Sequence, residues 1–181
     1  MPTLTFKGGI HTYDGKDLTK DKKIVDLLPV SPELVYPLSQ HIGAPATPIV
    51  AKGDRVLMGQ KIAEANGFVS SPVYSSVSGT VKAIEPRRNV QGNMTMSIVI
   101  ENDDLYDEAP RLPIRPIAEM TKEEVIDIIK EAGIVGMGGA GFPTHVKLSP
   151  KKPESIHYVI ANCAECEPYL TSDYRIIIEE P

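Results

Sequence analysis

The groups that could do chemistry cluster in the last third of the chain. Gly136-Met137-Gly138-Gly139-Ala140-Gly141-Phe142-Pro143-Thr144-His145-Val146-Lys147 puts Gly or Ala at five of its first six positions. Glycine reaches positive φ and lets the backbone approach a ligand, because no Cβ stands in the way. Neither a helix interior nor a strand tolerates this composition well, so a loop is expected. Pro143 suits the first position of a helix. A glycine loop running into a helix N-terminus offers unpaired N–H groups and a favourable dipole to an anion such as phosphate. Lys147 would add a positive charge. A flexible glycine connection is the competing reading. Neither standard phosphate loop fits. A Rossmann loop follows a strand, whereas the segment before Gly136 reads as a helix. A Walker loop needs Gly-Lys-Ser/Thr.

Cys163 and Cys166 form a Cys-x-x-Cys pair, and the chain has 2 cysteines. A redox dithiol needs a thioredoxin-like setting, which is not evident. A zinc or iron–sulfur site needs further ligands that no other cysteine supplies. Two reduced thiols in a loop is the reading carried forward, with no residue assigned a metal or catalytic role. His145 reads as a surface residue at the helix start, and His11 and His41 as loop residues without assigned chemistry.

The elements that must position these groups follow from turn signals and periodicity. Between residues 36 and 101, short apolar runs alternate with turns such as Lys52-Gly53-Asp54, Asn66-Gly67 and Gln91-Gly92-Asn93. Strands fit at Arg55-Val56-Leu57, Lys61-Ile62-Ala63, Thr80-Val81-Lys82-Ala83-Ile84 and Met96-Ser97-Ile98-Val99-Ile100, the pattern of a small sandwich or barrel. Pro110, Pro113 and Pro116 mark a linker. Thr121-Lys122-Glu123-Glu124 is a capping box. Val125, Ile128, Ile129 and Ala132 recur at helical spacing as a buried face, and Gly133 ends the helix. Ile156-His157-Tyr158-Val159-Ile160-Ala161 reads as a strand. Thr171 or Ser172 can cap a last helix that runs to Glu179.

The chain has 181 residues, 41% hydrophobic and 24% charged, as in a soluble globular protein. Its net charge of −5 argues against a nucleic-acid partner. No apolar run approaches the ~20 residues of a membrane span, and the opening residues lack a signal-peptide pattern.

The glycine run, together with Val159-Ile160-Ala161-Asn162-Cys163-Ala164-Glu165-Cys166-Glu167-Pro168, resembles the flavin-binding region of the 51-kDa NADH-binding subunit of respiratory complex I. Phe6-Lys7-Gly8-Gly9-Ile10-His11 and Pro37-Leu38-Ser39-Gln40-His41-Ile42-Gly43-Ala44-Pro45 narrow the likeness to the RnfC subunit of the Rnf electron-transport complex. The Gly-Asp-x-Val-x-x-Gly-Gln and Val-Ser-Gly-Thr-Val segments are similar to biotinyl and lipoyl carrier domains. The expected tip at 65–68 has no lysine to modify, and Lys61 lies in a strand. The resemblance therefore implies a barrel-sandwich hybrid used as scaffold, followed by the beginning of an α/β flavin- and NADH-binding domain, α+β overall. The expected divisions are an N-terminal extension at 1–35, the hybrid domain at 36–109, a linker at 110–120 and the flavin domain from 121 to 181.

By the same resemblance, Gly136, Gly138, Gly139, Ala140, Gly141 and Phe142 would lie against FMN, and Lys147 would contact it. Asn162 and Glu165 match flavin-contacting positions, and Glu167 matches an acidic position near NAD(H). Met137 and Ala164 stand where complex I has arginine and aspartate. The implied function is electron transfer between NAD(H) and ferredoxin through flavin. The setting would be a peripheral subunit on the cytoplasmic side of the membrane, bound to the other Rnf subunits. Two [4Fe–4S] clusters are expected in a C-terminal part beyond this sequence, so the chain reads as a fragment without turnover of its own. Related subunits of cobalamin or amino-acid reductase systems, and a non-catalytic assembly scaffold, are the alternatives.

Overall fold

A computed structural model of the chain describes residues 13–111, 114–137, 139–165 and 167–180. The chain forms two compact units, one of Leu28–Ser155 and one of Met1–Leu27 with Ile156–Pro181.

The larger unit is the expected hybrid of barrel and sandwich. Strands β1 (Glu33–Pro37), β3 (Arg55–Val56), β6 (Gly79–Arg88) and β7 (Met94–Asn102) form an antiparallel sheet in the order β1-β7-β6-β3. Strands β2 (Thr47–Pro48), β4 (Lys61–Glu64) and β5 (Val73–Tyr74) form a second, in the order β2-β4-β5. Val56, Val81, Ile98 and Ile100 from the first sheet and Ile62, Ala63 and Val73 from the second share one core. Ile62, Ile98 and Ile100 are fully enclosed. Each sheet has one apolar face, and closing the faces on each other removes that surface from water. Strand β1 starts at Glu33, ahead of the expected start of the domain at 36.

Helix α1 (Lys122–Glu131) follows the barrel in the same unit. Thr121 Oγ1 accepts from Glu124 N at 3.2 Å, and Glu124 Oε2 accepts from Thr121 N at 2.8 Å, so the capping box is complete. The bond from Thr121 N and the Arg115 guanidinium hold the Glu124 carboxyl below its usual range. The helix stops as glycine dictates. Gly133, at φ 68°, donates to Lys130 O, and Ile134 N donates to Ile129 O, which together make a Schellman motif. The buried face is shallower than expected. Val125 and Ile129 are half-buried, while Ile128 and Ala132 are exposed, because the helix packs mainly on the one-turn helix α2 (Thr144–Lys147).

The smaller unit joins the two ends of the chain. A 3₁₀ turn at Lys16–Leu18 and helix α3 (Ser172–Glu179) are its regular elements among the described residues. Lys16 Nζ donates to Leu170 O at 2.7 Å, Thr19 Oγ1 to Tyr169 O at 2.7 Å, and Arg175 to Lys20 O at 3.1 Å. Part of the N-terminal extension is thus tied to residues 169–175. The strand expected at residues 156–161 does not form. Tyr158, Val159 and Ile160 are exposed, since a strand needs a pairing neighbour and none is present among the described residues. No helix among the described residues is long and apolar enough to cross a membrane.

Candidate functional site

The glycine loop is closed at its base. Gly136 N donates to Phe142 O at 3.0 Å, Val135 bridges Pro143, and Thr144 N donates to Ile134 O at 3.0 Å. The loop is therefore a defined excursion between two paired stems, unlike a flexible connection. Gly138 lies outside the described residues. Gly139 and Ala140 are exposed at the tip.

The helix after the loop is shorter than the anion argument requires. Pro143, at φ −59° and ψ 127°, is the N-cap where the sequence suggested the first helical residue, and α2 has 4 residues. One turn sums few peptide dipoles, so a macrodipole contributes little here. The positive charge comes from Lys147, whose Nζ lies 2.8 Å from the point a Cβ on Gly136 would occupy. Glycine at 136 leaves open the space beside which the ammonium lies.

Both ends of the loop are braced by the barrel. Upstream, Lys61 Nζ pairs with Glu131 at 2.5 Å, and the Tyr74 hydroxyl donates to Glu131 O. The Glu131 carboxylate holds the Lys61 ammonium above its ordinary range, and burial pushes the Tyr74 phenol up. Downstream, Ile42 N donates to Gly141 O at 3.3 Å. Gly141 has φ +62°, and a Cβ there would stand 2.9 Å from Gln40 O. His145, expected at the surface, is only 2% exposed. Its Nε2 donates to Phe68 O at 2.8 Å, and the two rings meet edge to face with centroids 5.8 Å apart. His41 is buried as well, with its Nε2 accepting from Ser71 N at 3.1 Å. His11 lies outside the described residues.

A cleft of about 600 Å³ opens beside the loop tip. Gly139 and Ala140 line one side, and Gln40, His41, Ile42 and Arg88 line others. Its size falls within the roughly 300–1,000 Å³ of small-ligand sites.

The second block lies in the smaller unit. Asn162 Oδ1 accepts from Ala164 N at 3.2 Å, a local turn that fixes its side chain. Glu165 sits at φ 52°, and its carboxylate accepts from Tyr174 N at 3.0 Å and Ser172 Oγ at 3.4 Å. It thereby caps α3, a task that Thr171 does not perform with its own side chain. Glu167 O lies 3.5 Å from Lys16 Nζ. Cys163 is a free, exposed thiol, and Cys166 lies outside the described residues. No cluster of His, Cys, Asp and Glu able to hold a metal is present among the described residues.

Comparison with known proteins settles the kinship. Residues 4–105 match the family described as RnfC Barrel sandwich hybrid domain. The chain belongs to the RnfC family. Residues 129–181 of this RnfC chain match a second family, described as Nuo51 FMN-binding domain, so the glycine loop and the second block both fall inside that match. The C subunit of the Na(+)-translocating ferredoxin:NAD(+) oxidoreductase complex of Acetobacterium woodii is 46% identical over 97% of the chain and 40% of the relative. The proton-translocating counterpart of Clostridium ljungdahlii is 44% identical, covering 97% of the chain and 38% of the relative. The C subunit of the ion-translocating oxidoreductase complex of Vibrio cholerae is 38% identical, covering 93% and 22%. This RnfC chain thus spans about two fifths of the length of the first two relatives.

Proposed function

We propose that this chain carries the FMN-binding loop of an RnfC subunit in a ferredoxin:NAD⁺ oxidoreductase complex, with the barrel as its scaffold. The observation that carries the reading is the Lys147 ammonium beside the open Cβ position of Gly136, in a loop closed by the Gly136–Phe142 hydrogen bond. A space that a Cβ would fill, an exposed lysine ammonium beside it and a cleft at the loop tip fit a phosphate-bearing ligand. When bound, FMN supplies hydride exchange with NAD(H) and single-electron exchange with iron–sulfur carriers such as ferredoxin.

The chain's own residues bind and orient. Gly136 has its N–H committed to Phe142, so it contributes space rather than a donor. Gly139 and Ala140 present exposed backbone at the cleft, with Gly138 between Met137 and Gly139 in the sequence. Lys147 neutralises phosphate as a point charge. Gly141 and Phe142 hold the loop's downstream stem. On the strength of the family match at 129–181, Asn162 and Glu165 are further flavin contacts and Glu167 an acidic contact for NAD(H). The names of the relatives support placement with the other subunits of an ion-translocating complex, and the cytoplasmic side of the membrane, where NAD(H) is found, is the side proposed for it. The match boundaries, ending at 105 and resuming at 129, support a domain junction within the proline-rich 110–120 segment.

The test is a Lys147→Ala, Glu165→Gln double variant of the native-length protein in the assembled complex. Loss of NADH-dependent ferredoxin reduction with assembly intact is the expected result. Full activity in the double variant would refute the electron-transfer reading and leave a scaffold.

A further inference from the structure

The ligand end of the glycine loop is held by a part of the barrel far away in sequence, and that arrangement has a functional consequence. Helix α2 is a single turn without a side-chain cap, so it has little stability of its own. It is fixed from outside. His145, at its second position, is enclosed and donates from Nε2 to Phe68 O at 2.8 Å. Phe68 belongs to the loop between β4 and β5, 77 residues earlier. The same loop also fastens the other contact of the glycine stem. Ala44 N donates to Val69 O at 2.9 Å, Ser70 Oγ to Ala44 O at 2.8 Å, and Ser71 N to His41 Nε2 at 3.1 Å. The neighbouring Ile42 N holds Gly141 O. The loop after β4 therefore grips the glycine stem twice, once through His145 and once through the segment holding His41 and Ile42.

Lys147 lies two positions beyond His145 on the same turn. The orientation of that turn sets where the lysine stem starts and so which positions its ammonium can reach. Resting on the FMN reading above, we propose that His145 is a positioning residue for the ligand. By locking α2 to the Phe68 carbonyl, it places the Lys147 ammonium over Gly136, and the loop after β4 serves as the anchor of the flavin site.

The experiment measures FMN affinity by flavin-fluorescence quenching in the native-length protein, with thermal melting alongside. His145→Ala should weaken FMN binding about tenfold, the scale of one unmade buried hydrogen bond. His145→Gln keeps an N–H donor for Phe68 O and should recover most of the affinity. The double variant His145→Ala, Lys147→Ala separates positioning from general destabilisation, because a residue acting through Lys147 adds nothing once Lys147 is gone. Its affinity should equal that of Lys147→Ala alone. If His145→Ala fails to fold, His145→Asn, too short to reach Phe68 O, takes its place in the same comparison. Wild-type binding with unchanged affinity in the His145 variant overturns this inference alone. So do two losses that multiply in the double variant. Failure of the wild-type protein to bind FMN overturns the flavin reading and this inference with it.

Discussion

The Lys147 ammonium lies 2.8 Å from where a Cβ on Gly136 would stand, so a glycine at one end of the loop and a lysine beyond the other share one volume. In the proposed reading, this lysine supplies the positive charge for a phosphate without a long helix behind the loop.

Gly136→Ala tests that packing. The added methyl meets the flexible end of a lysine, not backbone, so the ammonium moves and the fold survives. The expected outcome is a melting temperature within a few degrees of wild type and a several-fold weaker FMN affinity. In a Lys147→Ala background the same substitution should have almost no further effect on affinity. Titration of the two single variants and the double variant checks this.

Gly141→Ala should behave differently. Its φ of +62° suits glycine, and its Cβ would meet the backbone oxygen of Gln40 at 2.9 Å. Backbone cannot swing aside as a lysine can. A loss of about 1–3 kcal/mol is expected from the left-handed strain and the displaced contact. Denaturant unfolding should show a lower midpoint, and FMN affinity should fall with it.

Acid should loosen the segment after β7. Ser78 Oγ donates to Asp103 Oδ1 at 2.6 Å, and Arg55 pairs with Asp103 at 3.1 Å and Asp107 at 2.6 Å. The Ser78 hydroxyl first, then Leu105 N–H and Arg55, hold the Asp103 carboxyl below its usual range, against some desolvation. A carboxyl depressed in the folded state stabilises the protein above its unfolded value of about 3.9. That contribution is lost as pH falls from there through the lower folded value. Asp103→Asn should therefore flatten the stability–pH curve below pH about 4 and leave its shape near neutrality unchanged. Urea melts across that range would show it, and an unaltered acid limb would exclude the assignment.

Local rules in the sequence reach some of this architecture and miss the rest for identifiable reasons. The β4–β5 tip, the long β6–β7 hairpin, the Thr121–Glu124 box and the Gly133 stop follow from turn chemistry, strand pairing and capping, all short-range. The run Ile156 to Ala161 has strand composition, yet a strand exists only with a neighbour, and its apolar side chains stand exposed. His145 reads locally as a polar surface residue at a helix start. Its burial is decided by Phe68, 77 residues away, which no periodicity reveals. The capping role of Glu165 depends on where α3 begins, 7 residues later. The tip at 65–68 is legible as a turn, but no local signal marks its loop as the one that holds His145.

The central claim is that the glycine loop and Lys147 together hold FMN, and titrating the native-length protein with FMN, beside Lys147→Ala, tests it most directly. Saturable quenching in wild type, with affinity at least tenfold weaker in the variant, is the result expected. Equal affinity in the two proteins, or no binding by a folded wild type, would contradict it.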